Sequence, residues 1–247
     1  MISLSQAQTS MQSHDSHSCS KCSMSQICLP LGIEKNDLEK LEQLVQPSAT
    51  LHANDVVFRQ GDVFSKVYAV KSGTFKSTRV DEGGNEHVVA FHLPGELIGL
   101  DGIYPDEYTS STTALDTAVL CELNYEHLTE LCGSLPALQK QLLRLLSRDL
   151  YESNVTNASI ADQTARRKLA GFLHNLSSRY QFRGYSADSF NLAMSRQDIA
   201  SHLGMTPETV SRILKSFKQE AIINIENRHI MLADRTKLDA IVACELA

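Results

Sequence analysis

The run Ser195-Arg-Gln-Asp-Ile-Ala-Ser-His-Leu-Gly-Met-Thr-Pro-Glu-Thr-Val-Ser-Arg-Ile-Leu-Lys-Ser-Phe217 carries the most specific punctuation in the chain. Ser195 is placed to cap a first helix bearing Ile199, Ala200 and Leu203, and Gly204 can take the left-handed conformation that ends it. Thr206 then caps a second helix with Pro207 at its first position, where a missing N–H costs nothing. Two short helices joined in this way form a helix-turn-helix. On the second, Val210, Ile213, Leu214 and Phe217 make the buried face, which leaves Glu208, Ser211 and Arg212 together on the other side. Those groups suit base edges: arginine pairs with guanine O6 and N7, glutamate accepts from cytosine N4, and serine serves either role. Lys215 and Lys218, further along, suit phosphates. The segment from Ile222 to Leu232, two apolar runs around Glu226-Asn227-Arg228, reads as a β-hairpin wing. An i,i+4 ion pair between Glu208 and Arg212 on a solvated face is the plainer alternative, but caps, turn and charge all favour double-stranded DNA.

Charge supports that division. The whole chain of 247 residues has a net charge of −6, yet residues 1–162 hold 11 Lys and Arg against 21 Asp and Glu, whereas residues 163–247 hold 12 against 8. A basic C-terminal part on an acidic body fits local phosphate contact without general adhesion to nucleic acid. The length predicts two domains. The first thirty residues lack the apolar stretch of a signal peptide, and no run of 18 or more apolar residues could span a bilayer, so the chain is expected to be cytoplasmic with no membrane partner. Thiols stay reduced there, and six cysteines then indicate metal binding, redox sensing or burial rather than disulfides. No Gly-rich phosphate loop or catalytic triad argues for an enzyme.

Toward the N-terminus, Glu34 to Val45 has helical periodicity through Leu38, Leu41, Leu44 and Val45. From Asn54 to Leu123 short β-branched and aromatic runs alternate with turn signals at Gln60-Gly61-Asp62, Lys71-Ser72-Gly73, Gly83-Gly84-Asn85 and Leu93-Pro94-Gly95, which predicts a small sandwich or barrel. Pro136 opens a long helix. One stripe of it, Leu138, Leu142 and Leu145, is expected to pack on the barrel. Another, Gln139, Leu143, Leu146, Leu150, Ser153 and Asn157, follows the spacing of a coiled-coil seam and predicts a homodimer. A helix from Thr164 to Tyr180 begins the basic domain.

Cys19, Cys22 and Cys28 stand within ten residues of a Ser-rich segment that could hardly fold unaided, which suggests a shared metal centre. Thiolates select zinc or iron–sulfur clusters, so residue type alone leaves both open. Zinc sites usually come as two paired knuckles, and this segment has one pair and a distant third cysteine. Ser23, Met24 and Ile27, lying between these cysteines, are expected to control access to the sulfurs. Cys132 and Cys244 read as buried strand cysteines, though Cys132 is a second candidate for a fourth ligand, and His14 and His17 read as solvated tail residues.

Taken together, Cys19-x2-Cys22-x5-Cys28, the strands containing Gly95-Glu96-Leu97-Ile98-Gly99, the long helix and Pro207-Glu208-Thr209-Val210-Ser211-Arg212 resemble the FNR-type branch of the CRP/FNR transcription regulators over nearly the whole chain. The resemblance implies an α+β fold: a cysteine segment at 1–30, a cyclic-nucleotide-binding-like β-roll at 31–133, a dimerization helix at 134–162 and a winged helix-turn-helix domain at 163–247. It implies that Cys121 joins the three N-terminal cysteines to hold one oxygen-labile 4Fe-4S cluster per subunit. It further implies a dimer that binds palindromes of TTGAT half-sites, activates or represses genes of anaerobic respiration, and is lost when oxygen converts the cluster. RNA polymerase would be met through the turns at Ser72 and Thr117, the loop 81–86, and Arg183. Ser153 stands where some members carry an acid that opposes dimerization. Tyr108-Thr109-Ser110-Ser111 lacks the arginine that holds cyclic nucleotide phosphate, so cAMP is not expected as a ligand. A regulator with a zinc or metal-free segment that senses another signal is the alternative.

Overall fold

The structure is a computed structural model that describes residues 18–160 and 164–243, with side chains of the long helix described as far as Tyr151. Helix α1 (Lys35–Leu44) precedes eight strands: β1 (Gln46–Pro47), β2 (Val56–Phe58), β3 (Lys66–Ser72), β4 (Phe75–Val80), β5 (Glu86–His92), β6 (Leu97–Ile98), β7 (Ser111–Ala114) and β8 (Val119–Asn124). They form two antiparallel four-stranded sheets, ordered β1-β8-β3-β6 and β2-β7-β4-β5, which is the expected β-roll. Gly61, Gly73, Gly84 and Gly95 all have positive φ in its turns. At Gly73 nothing larger fits, because a Cβ would lie 2.4 Å from Ala118 Cβ and 2.7 Å from Thr117 O.

Strand β3 is buried on both faces, and its alternation divides the interior in two. Tyr68 and Val70 point between the sheets with Phe58, Phe75, Ile98, Tyr108 and Leu120. Val67 and Ala69 point the other way, toward Leu29, Leu41, Leu128, Leu138 and Leu145. That second layer is roofed by α1, α2 (Tyr125–Ser134) and α3 (Pro136–Ile160). Helix α2 escapes the sequence pattern because its ten residues follow β8 without a break; Asn124 both ends the strand and caps the helix, accepting from His127 N–H. Cys132 sits on this helix and not on a strand, and it is buried as expected.

The remainder is a winged helix-turn-helix: α4 (Ala165–Phe182), β9 (Ser189–Asn191), α5 (Arg196–Leu203), α6 (Pro207–Gln219), β10 (Ile223–Glu226), β11 (His229–Leu232) and α7 (Arg235–Ala243). Ser195 and Asp198 make a reciprocal capping box, Gly204 is left-handed at φ 63°, and Thr206 caps α6. The hairpin wing gains a third strand, β9, whose three residues are too short to show a period of two. This domain shares its core with the β-roll: Val88, Phe91 and Leu93 belong to the same buried cluster as Leu173, Ile199, Val210 and Phe217.

Candidate functional site: a four-cysteine cavity and a DNA-reading helix

Cys19, Cys22, Cys28 and Cys121 line a single cavity of about 30 Å³. Three come from the N-terminal segment and the fourth from the centre of β8, where Cys121 pairs with Pro47 on one side and Ala69 on the other. Because side chains alternate on a strand, Cys121 faces the helical layer with Leu123 while Leu120 faces the opposite sheet. The small side chain of Ala69 leaves room in front of it. Met24, Ser25, Leu29, Pro30, Leu41, Val45 and Lys71 complete the wall. Of the three residues expected to govern access, only Met24 lines the cavity. Ser23 is exposed, and Ile27 lies outside the cavity with its side chain over Gly95. Cys132 does not reach the cavity, and Cys244, His14 and His17 lie outside the described residues.

The segment is held by residues that sequence reasoning passed over. Glu42 of α1 accepts from Ser18 Oγ at 2.7 Å and from Ser20 N–H at 3.0 Å. Gln141, buried on α3, donates from Nε2 to the Cys28 carbonyl at 3.1 Å and so joins the cysteine segment to the long helix. Both looked like ordinary polar positions on amphipathic helices. Burial pushes the Cys19 and Cys28 thiols up to about 12 and also raises Cys121; Lys71 opposes this at Cys19 and Cys121, whereas Glu42 reinforces it at Cys19. Among the described residues no three His, Cys, Asp or Glu side chains are arranged to hold a metal ion, although the four cysteines line one cavity.

On α6, Val210, Ile213, Leu214 and Phe217 are buried, and Glu208, Ser211, Arg212, Lys215 and Lys218 are exposed. Lys218 is also tied to the wing, donating to Ile225 O at 3.2 Å. Arg166 of α4 holds the far end of the helix: its guanidinium stacks 4.8 Å over the Phe217 ring and forks onto Glu220 at 2.6 and 2.9 Å.

Along α3 the two stripes separate as expected. Leu138 and Leu145 are buried and Leu142 packs against the same cluster, whereas Leu143 and Leu150 are 60% and 65% exposed and Leu146 is half-buried. The side chains of Ser153 and Asn157 lie outside the described residues. Ser72, Thr117 and residues 81–86 are exposed. Arg183 is not: it is buried against Glu96, Pro94 and Arg179, which removes it from the surfaces open to a polymerase.

A β-roll joined through a long helix to a helix-turn-helix defines a DNA-binding regulator, and the comparisons agree. Residues 49–134 match the cyclic nucleotide-binding domain family and residues 167–241 the Crp-like helix-turn-helix domain family. The chain is 39% identical over 228 residues to the transcriptional activator protein Anr of Pseudomonas aeruginosa, covering 92% of this chain and 93% of that protein. It is 36% identical over 220 residues to the fumarate and nitrate reduction regulatory protein of Vibrio cholerae, covering 89% and 88%. The structure of FixK2 from Bradyrhizobium japonicum superposes with a TM-score of 0.73 at 24% identity, covering 80% of this chain and 96% of that one, a likeness of fold. The chain belongs to the FNR-type branch of the CRP/FNR transcription regulators. Its relatives are regulators and not enzymes. Among the described residues no helix is long and apolar enough to cross a membrane.

Proposed function

We propose that the protein is an oxygen-responsive transcription regulator that binds TTGAT-type palindromes as a homodimer while Cys19, Cys22, Cys28 and Cys121 hold a 4Fe-4S cluster, and that loses DNA affinity in air. It would activate or repress genes of anaerobic respiration and meet RNA polymerase through the exposed turns at Ser72 and Thr117 and the loop 81–86. The supporting observation is the convergence of four cysteines, three from residues 19–28 and one from β8, on one apolar-walled cavity. When bound, a cluster supplies oxygen-labile iron–thiolate chemistry to that site. The protein's part is structural: Met24, Leu29 and Leu41 limit water, Lys71 offsets the charge of the thiolates, and Gln141 links the Cys28 backbone to the seam helix.

The exposed stripe of Leu143 and Leu150 supports dimerization through α3, which would place two α6 helices on successive major-groove faces. Glu208, Ser211 and Arg212 would then read bases, with Lys215 and Lys218 on phosphates. Cyclic nucleotide is not proposed as the signal: the stretch Tyr108-Thr109-Ser110-Ser111 contains no arginine.

Visible absorption with iron, sulfide and zinc analysis after anaerobic purification, followed by operator binding before and after air, tests the reading. Brown, iron- and sulfide-loaded protein whose TTGAT binding fades in air is expected. A zinc-loaded protein, or a colourless one that still binds in air, would overturn it and favour the zinc or metal-free alternative.

A further inference from the structure

The turn Leu93-Pro94-Gly95-Glu96 is touched from both sides. On one side lies the cysteine segment: Gly95, at φ +85°, passes so close that a Cβ there would sit 2.5 Å from Ile27 Cδ1 and 2.8 Å from Ile27 Cγ1. On the other side lies the DNA-binding domain. Arg179 of α4 donates to Glu96 Oε1 at 3.1 Å and Oε2 at 2.6 Å, and also to Phe91 O at 2.6 Å. Arg183, one turn on, bonds Glu96 Oε1 and donates to Pro94 O at 2.6 Å. Leu93 N–H donates to Glu96 Oε2 at 3.0 Å, so the carboxylate is pinned to its own turn as well.

We propose that this turn is an intramolecular coupler, with Glu96 as the positioning residue, through which the state of the cysteine segment sets the docking of the DNA-binding domain within one protomer, in addition to any dimerization signal. The proposal rests on the cysteine segment being the sensor. Its physical basis is the absence of slack. Glu96 and Arg183 are buried, both carboxylate oxygens are occupied, and separating the pairs would leave charge without a partner in the interior. A displacement of Ile27 is therefore relieved by moving α4 with the turn and not by parting the ions. Helix α4 shares its core with α5 and α6, so the recognition helix moves with it. Two further contacts join the β-roll to α5 directly: Lys76 pairs with Asp198 of the capping box at 2.6 Å, and Val88 N–H donates to Ser201 Oγ at 2.9 Å. The reading face of α6 stays exposed in this pose, so the coupler governs orientation and not access. Orientation matters because half-sites are read a helical turn apart.

The test is a double-mutant cycle in the full chain, Ile27→Ala against Glu96→Gln, carried on Leu146→Glu so that dimerization transmits nothing. The readout is amide hydrogen exchange of residues 179–183 and 196–203. Ile27→Ala alone is expected to speed exchange there roughly five- to tenfold, and to add less than about twofold once Glu96→Gln is present, because coupled positions are not additive. If Ile27→Ala alters only residues 19–33, or the two effects multiply as independent, the coupler is overturned. Should Glu96→Gln lose its cooperative thermal transition, Arg183→Lys replaces it, keeping the charge and losing the guanidinium's simultaneous contacts with Glu96 and Pro94 O. The cycle is run with and without air. If the cycle shows coupling while air changes neither region, the coupler stands and the oxygen reading falls.

Discussion

Arg212 and Cys121 show how far a single residue can be read. Arg212 projects from the exposed face of α6 with Glu208 and Ser211, where the sequence placed it. Arg212→Ala is expected to cost on the order of 1–3 kcal/mol on the preferred operator and to relax choice at one base pair, measured by titrating operators varied at each position. Equal loss on every variant would contradict base reading. Cys121 was assigned by resemblance alone, since a cysteine in a strand is ordinarily packing. The pleat of β8 turns it toward the cavity, whereas Cys132 is buried on α2, away from the cavity. Cys121→Ser is accordingly expected to abolish iron retention under anaerobic purification while Cys132→Ser leaves the iron-to-protein ratio unchanged. Iron loss from both, or from Cys132→Ser alone, would move the fourth ligand.

At the scale of elements, α3 has one stripe committed to the β-roll core and another left open, and the two were legible because helical spacing separates them. Leu146→Glu is expected to yield anaerobic monomers by sedimentation; a surviving dimer would place the interface elsewhere. The sheet β2-β7-β4-β5 carries a pH dependence that no spacing reveals. His92 at the end of β5 shares a 2.8 Å hydrogen bond with Ser77 Oγ, and burial, helped by nearby Arg179, lowers it to about 4. Its unfolded value is near 6.5. Between those values the unfolded chain binds the proton more readily, so stability present above pH 6.5 is lost as pH falls toward 4. The loss at pH 5 is on the order of 2 kcal/mol, seen as a lower urea midpoint than at neutral pH. His92→Gln is expected to shrink that difference, and an unchanged difference would assign the effect to other groups. Glu96 acts lower still: burial would raise it, but Arg179 and Arg183 hold it at about 2, so its contribution is lost only as pH falls from 4.5 toward that value.

At the scale of the whole molecule, two domains share one core and a buried set of charges, yet each is recognisable by its own pattern. DNA affinity is expected to fall with salt, and Lys215→Ala to reduce the slope of log K against log salt by about 1 while weakening all operators alike. A slope unchanged in that variant would take Lys215 off the phosphate backbone. Caps, turns and hydrophobic periods are local, and they were enough for the helix-turn-helix, the three exposed polar side chains of α6, the strand-and-turn rhythm of the β-roll and the two stripes of α3. Strand β9 stayed hidden because three residues show no period, and α2 because it follows β8 without a break. Distance along the chain hid the rest. Nothing in the residues around Glu96 announces that two arginines some eighty positions later will neutralise it, or that Gln141 will hold the Cys28 carbonyl. Buried charges and amides find their partners only when the fold closes, since burial makes an unsatisfied group costly and so selects the pairings.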